Sequence, residues 1–381
     1  MTGGGAVRRR SLGTAAGLAA LLAAALLGGC ASDAPKPTPL EAVEVKIAGR
    51  QVWSLKTAGF AAGQAVAVTG KRLVIASSDG SIRFVEAESG RVIGEAQAGG
   101  RLATGVGSDG RFHAVVTRDG DLVVLEEGAL RWKQHLGTAV VTAPLVAGER
   151  VFVLGVDRSV QAWDVLDGKL LWNFTRAGDA LTLSQAGVLA AYKDTLLVGQ
   201  GNRLTALDPL KGLVRWEVPV ATPRGTNEVE RLADLIGPAS RVGAVFCLRA
   251  FQNGVGCVDA DRATTVWSIN GGGGQPVAAD DDYVFSADGV DRITARRRSN
   301  GETVWASDRF QHRRLSGPVS AGTTVAFGDF EGYVHFLARD TGTTLLRLPT
   351  DGSAVVGTPV KAGTTLVVTT RDGGVFAFRP E

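Results

Sequence analysis

The chain has 381 residues, with 41 Lys and Arg against 38 Asp and Glu, 45% hydrophobic residues, 51 glycines and three cysteines. From residue 41 onward there are about 340 residues, too many for one ordinary β-sandwich and enough to bury a large closed core. Residues 1–29 carry only Arg8, Arg9 and Arg10, which leaves 38 basic against 38 acidic residues in the remainder, and a neutral body of this kind gives no footing to nucleic acid as a partner, which calls for a basic face.

At the N-terminus, Arg8-Arg9-Arg10 is followed by an apolar run over residues 12–27 and then Leu27-Gly28-Gly29-Cys30. The run is too short and too Ala-rich to span a bilayer, so residues 1–29 read as a signal peptide. Residues 27–30 resemble the lipobox of bacterial lipoproteins, and this implies that Cys30 becomes a lipidated N-terminus. Ala31 follows Cys30 where inner-membrane retention would be marked by Asp, so the resemblance implies an outer-membrane location facing the periplasm. The stretch 34–39, Ala-Pro-Lys-Pro-Thr-Pro, predicts an extended tether within residues 30–41. The folded body is expected over residues 42–381.

Within that body one unit recurs. Residues 160–174 form a short strand, a turn at Asp167-Gly168 and a second strand carrying Trp172. The same layout places Trp53, Ile93, Trp132, Trp172, Trp216, Trp267, Trp305 and Leu346 as landmarks about 40 residues apart, with Ile93 and Leu346 standing in the Trp position. Each period holds four strand-like runs separated by turn signals. This predicts an all-β fold, an eight-bladed propeller of four-stranded antiparallel blades. The last period has no room for an outer strand, while the chain begins with an unpaired one around Trp53. That strand is expected to complete the last blade and remove the free edge. The repeated Trp is expected to fill the wedge between neighbouring blades.

Cys247 and Cys257 flank a turn on strands that pair as a hairpin, which makes a disulfide the expected state in an oxidising compartment; two buried thiols are the alternative. Two cysteines without a nearby His do not make a metal site, and His113, His135, His312 and His335 fall in different periods. The glycine run 271–274 lacks the Lys-Ser/Thr of a phosphate loop and reads as a flexible connection. Nothing assembles a nucleophile, a base and a pocket. The expectation is that the protein is not an enzyme and carries no catalytic residue, metal or cofactor.

The repeat Asp/Asn-Gly-x-Val/Leu-x-Ala-Leu/Trp-Asp-x-x-x-Gly-x-x-x-Trp resembles that of quinoprotein propellers. Within that group the whole chain is similar to the BamB family of outer-membrane assembly lipoproteins. Residues 226–234, Thr-Asn-Glu-Val-Glu-Arg-Leu-Ala-Asp, resemble a loop of that family, and Leu181-Thr-Leu183 resembles its partner-contacting segment. Residues 312–319 and 328–334 are also similar, and are read as structural. Ser184 and Ile236 depart from the family pattern, where an Arg and an acidic residue stand. The resemblance implies a non-enzymatic scaffold that binds BamA through Leu181, Leu183, Arg231 and Asp234 and helps outer-membrane proteins fold and insert, with unfolded outer-membrane proteins as further partners. From periodicity alone, the favoured reading of Leu181 and Leu183 is as inward residues of a strand.

Both segments lie where an outer strand crosses to the next blade, after Trp172 and after Trp216, so they are expected to be neighbours on one face. The alternative reading is a quinone-dependent periplasmic dehydrogenase or its relic, with a polar ligand in the central channel.

Overall fold

A computed structural model describes residues 1–5, 35–60, 65–176, 181–223 and 225–380. Cys30, residues 6–29 of the expected leader and Arg224 lie outside the described residues. The strands assemble into eight four-stranded antiparallel sheets, and no helix occurs among the described residues. We number the blades 1 to 7 in chain order, over residues 66–97, 107–135, 145–174, 189–219, 235–270, 278–307 and 319–349. Blade 8 takes three strands from residues 355–380 and its outer strand from Gly49–Lys56, which pairs with Gly374–Pro380. The two ends of the chain therefore close the ring, as the unpaired first strand predicted.

Alternation along each strand turns one set of side chains to each neighbouring blade. The buried apolar residues fall into eight clusters, and each cluster joins two adjacent blades. The core is thus a ring of seams. Every blade depends on both neighbours for its burial.

The seams explain the repeat motif. The Asp that opens the third turn caps it: Asp164 Oδ1 accepts from the Leu166 amide at 2.8 Å and Asp208 Oδ1 from the Leu210 amide at 2.8 Å. The Gly that ends the turn has positive φ at Gly90, Gly168, Gly212, Gly301 and Gly342. On each of these glycines rests the indole of the preceding blade, so close that a Cβ would come within 2.5–2.8 Å of the ring. The same indoles donate to a carbonyl of the turn beneath, as Trp132 Nε1 does to Val165 at 2.8 Å and Trp267 Nε1 to Arg298 at 2.8 Å. The Gly and the Trp that meet belong to successive repeats. At the Trp216 seam Ala263, with φ of 52°, replaces the glycine.

One landmark moves. The residue paired across from the third strand is Trp132, Trp172, Trp216, Trp267, Trp305 and Leu346 in blades 2 to 7. In blade 1 it is Gly94, opposite Phe84. Ile93, expected in the Trp position, is one residue off and stands on the exposed face.

The expected tether is shorter than residues 30–41, because its last part is docked. The Thr38 amide donates to the Gln311 carbonyl at 2.9 Å, and the Lys46 amide to that of Leu345 at 2.9 Å. Arg313 Nη1 donates to the Thr38 carbonyl and Arg347 Nη1 to that of Glu41. These arginines belong to a buried network in which Arg313 and His335 both bond Asp329, at 2.8 and 2.9 Å. Through Arg313 and Asp329 the stretches 312–319 and 328–334 thereby anchor the entering chain, which itself runs along the outer strand of blade 7 and covers part of that edge.

Two further expectations meet the structure here. Cys247 and Cys257 are paired opposite each other in blade 5 and joined by a disulfide, with a Cα separation of 4.0 Å. The glycine run 271–274 is held firmly, contrary to the flexible connection expected. Buried Arg249 donates to the carbonyls of Gly272, Gln275 and Ala287 at 2.8, 3.2 and 2.7 Å. Gly273 lets the guanidinium approach, since a Cβ there would lie 2.9 Å from Arg249 Cζ. Desolvation pushes the Arg249 pKa down to about 10, which leaves it charged at neutral pH.

Candidate functional site

In an up-and-down blade, every crossing from an outer strand to the next inner strand emerges at one end of the ring, together with the turns between second and third strands. Three such elements from consecutive blades meet around Asp234. These are the turn of blade 3 at Arg158, the crossing from blade 3 to blade 4 at residues 181–188, and the crossing from blade 4 to blade 5 at residues 220–234.

Asp234 joins them. Its Oδ2 accepts from the Leu183 amide at 3.0 Å, and its Oδ1 accepts from Arg158 at 2.9 Å. Arg158 also donates to the Leu181 carbonyl at 3.3 Å, while its own carbonyl takes a bond from Gln200. The Asp234 and Arg158 side chains retain 15% and 16% exposure. A paired, partly buried carboxylate is well suited to hold two loops together. The structure therefore brings Asp234 and Leu183 together as the site's frame. Leu183 is half-buried and borders a small cavity of about 30 Å³ with Thr142, Leu154 and Leu235.

The outward groups are different ones. Residues 226–231 fold on themselves: Asn227 Oδ1 accepts from the Glu230 amide at 2.9 Å, and Glu230 Oε2 accepts from the Thr226 amide at 2.7 Å. These bonds from Thr226 hold the Glu230 carboxyl below its ordinary value. Charge-assisted bonds of this kind rigidify a turn that would otherwise stay solvated. The result is a small platform with Val229 71% exposed at its tip and Leu181 36% exposed on the neighbouring crossing. Arg231 is exposed as well, and among the described residues no carboxylate pairs with it. Exposed apolar side chains on a rigid, polar-rimmed loop are the features of a protein-binding patch.

Reading the sequence missed Arg158 and Val229. Arg158 lies 76 positions from Asp234 on another blade, and only the ring geometry joins them. Val229 was legible as an apolar residue within a charged loop. Ile236, which departs from the family pattern, is buried at the start of blade 5's inner strand.

At this end of the ring, crossings from several blades also enclose a space. Thr142, Ser184, Gln185, Pro238, Gln275 and Thr358 surround a space of about 300 Å³, and Gln185 Nε2 donates to the Gly274 carbonyl at 2.9 Å. The residues bordering it are uncharged, which does not fit a quinone bearing several carboxylates together with a divalent cation. No three of His, Cys, Asp and Glu come together as metal ligands among the described residues.

Fold and site together define an eight-bladed propeller whose departures from the repeat are loops at one end of the ring. Comparison with known proteins agrees. Residues 78–307 match the profile of the family described as outer membrane protein assembly factor BamB. The protein of that name from Burkholderia pseudomallei is 36% identical over 374 residues, covering 96% of this chain and 98% of the relative. The crystal structure of BamB from Moraxella catarrhalis superposes with a TM-score of 0.79 at 23% identity, over 87% of this chain and 99% of that one. The quinohemoprotein alcohol dehydrogenase of Comamonas testosteroni shares the fold at a TM-score of 0.65 and 14% identity, over 87% of this chain and 76% of its own. The chain belongs to the BamB family of outer membrane protein assembly factors.

Proposed function

We propose that this protein is a non-enzymatic scaffold of the outer-membrane β-barrel assembly complex, and that it binds the periplasmic repeats of BamA. The face carrying Leu181, Val229 and Arg231 makes that contact, with Leu183, Asp234 and Arg158 holding it in shape. The observation that carries this reading is the platform at residues 226–231, locked to the 181–183 crossing through Asp234. Its role is one of position, with no bond made or broken. Assistance to unfolded outer-membrane proteins follows from holding the partner's repeats in place.

The same reading assigns a leader to residues 1–29, a lipid anchor to Cys30 in the outer membrane, and a short tether that leaves the propeller facing the periplasm. More than one acyl chain at Cys30 would make that attachment stable.

Co-purification with BamA from detergent-solubilised envelopes tests the site. Leu181→Glu combined with Arg231→Glu changes only exposed groups, so the propeller stays folded. Recovery of BamA is expected to fall at least tenfold. Full recovery with this variant removes the proposed face. The dehydrogenase reading shares the fold alone, and the uncharged lining of the space beside Gln185 speaks against it.

A further inference from the structure

Seven blades present a Trp or Leu in the register position of the outer strand, and each fills the seam to the following blade. Blade 1 presents Gly94. On the other side of that same seam the turn is also shortened. Blade 2 joins its third and outer strands by Glu127-Gly128 alone, where blade 3 uses the longer turn closed by Asp164 and Gly168. At this one place the indole is therefore missing and the turn that would receive it is shortened, although it still ends in a positive-φ glycine, Gly128. Phe84, across from Gly94, compensates in part: its ring lies 3.4 Å from where a Cβ of Gly128 would stand. The outer part of the wedge stays open as a cavity of about 580 Å³, within the range of sites that hold small ligands.

The chemistry of the cavity narrows its occupant. Its floor is the Phe84 ring, the backbone of Gly94 and the edge of buried His113, which packs against Phe84 with ring centroids 4.7 Å apart. The rim carries cations and anions together, Lys71 and Arg91 with Glu95 and Glu127. An aromatic floor accepts a flat ring in offset or edge contact. A rim of both signs offers donors and acceptors to a peptide backbone and does not select an anion or a cation.

We propose that the seam between blades 1 and 2 is a binding site for an aromatic side chain presented by another polypeptide, which takes the place filled by a Trp at six other seams. The lining turns lie at the end of the ring opposite the 181–234 face. A second polypeptide can therefore dock there while the first site is occupied. The inference rests on the seam alone and stands or falls separately from the function proposed above.

The test uses the purified protein and three probes: the blocked peptides acetyl-Ala-Trp-Ala-amide and acetyl-Ala-Ala-Ala-amide, and free indole, each titrated while the amide resonances of Gly94 and Gly128 are followed. The Trp peptide is expected to shift both resonances saturably and to bind at least tenfold more tightly than the Ala peptide. Phe84→Ala with Gly94→Trp recreates the Ala162–Trp172 pairing of blade 3 and closes the cavity; with an unchanged circular dichroism spectrum, it is expected to lose at least tenfold in affinity. Ile93→Arg, an exposed change at the mouth, is expected to weaken binding without affecting the fold should the double variant fail to fold. No saturable shift in the native protein, or undiminished binding in the variants, would overturn the proposal. Indole binding more tightly than the Trp peptide would make this a small-molecule site and overturn it equally.

Discussion

Single residues in this ring act mainly through burial. His113 is 3% exposed, and desolvation holds its imidazole below the ordinary histidine value despite the opposing pull of Asp109. Buried His335 is shifted the same way, with desolvation outweighing Asp329. As pH falls below about 6.5, the unfolded chain takes up protons that the folded chain refuses, so the stability present above that pH declines with acid. The urea midpoint is expected to drop between pH 7.5 and 5.5, and His113→Gln to lessen that drop, with His335 still contributing to what remains. An unaltered pH dependence in the variant would contradict this assignment. Arg249 makes the complementary case. Its three carbonyl partners are left without a donor in Arg249→Leu, with an expected loss of about 3 kcal/mol in chemical denaturation. Neither role was legible in the sequence, because both depend on what surrounds a side chain in the third dimension. The Trp landmarks were legible, except where the register shifts by one residue from Ile93 to Gly94.

At the scale of elements, the crossings after Trp172 and Trp216 depart from the repeat, and the second is marked by its length, with 51 residues from Trp216 to Trp267 against about 40 elsewhere. Their neighbourhood followed from topology alone. What the sequence could not supply was the fastening between them. Asp234, which the resemblance places among the partner-contacting residues, is a fixed acceptor for Leu183 and Arg158. Loss of Arg158 leaves that carboxylate half-paired and frees the 181–183 segment. Amide exchange at Leu183 is therefore expected to accelerate at least tenfold in Arg158→Met, while exchange in the inner strand of blade 8 stays unchanged, because local opening needs only local bonds to be lost. Uniform acceleration through all blades would mean that Arg158 supports the whole ring. The 226–231 platform, held by Asn227 and Glu230, is expected to keep its protection in the same variant.

For the whole molecule, eight seams must close together, and the last closes through Gly49–Lys56. A chain starting at residue 57 leaves Gly374–Pro380 as an open edge and strips the Trp53 indole from Gly90. It is expected to aggregate or to lose cooperative unfolding, as monitored by light scattering and near-ultraviolet circular dichroism. Closure and blade count were written in the spacing of Trp53 to Leu346, since a ring repeats its own geometry. Function was not written there. The proposed function rests on the altered crossings, whose meaning comes from the family and from the frame around Asp234. The most direct test of the account is photo-crosslinking in intact envelopes, with a photoreactive amino acid placed at position 229 and, as a control, at Leu130 on the outer strand of blade 2. The account expects a strong crosslink from position 229 to the periplasmic repeats of BamA and at least tenfold less from position 130. Crosslinking of BamA from position 130 with none from position 229 would contradict it.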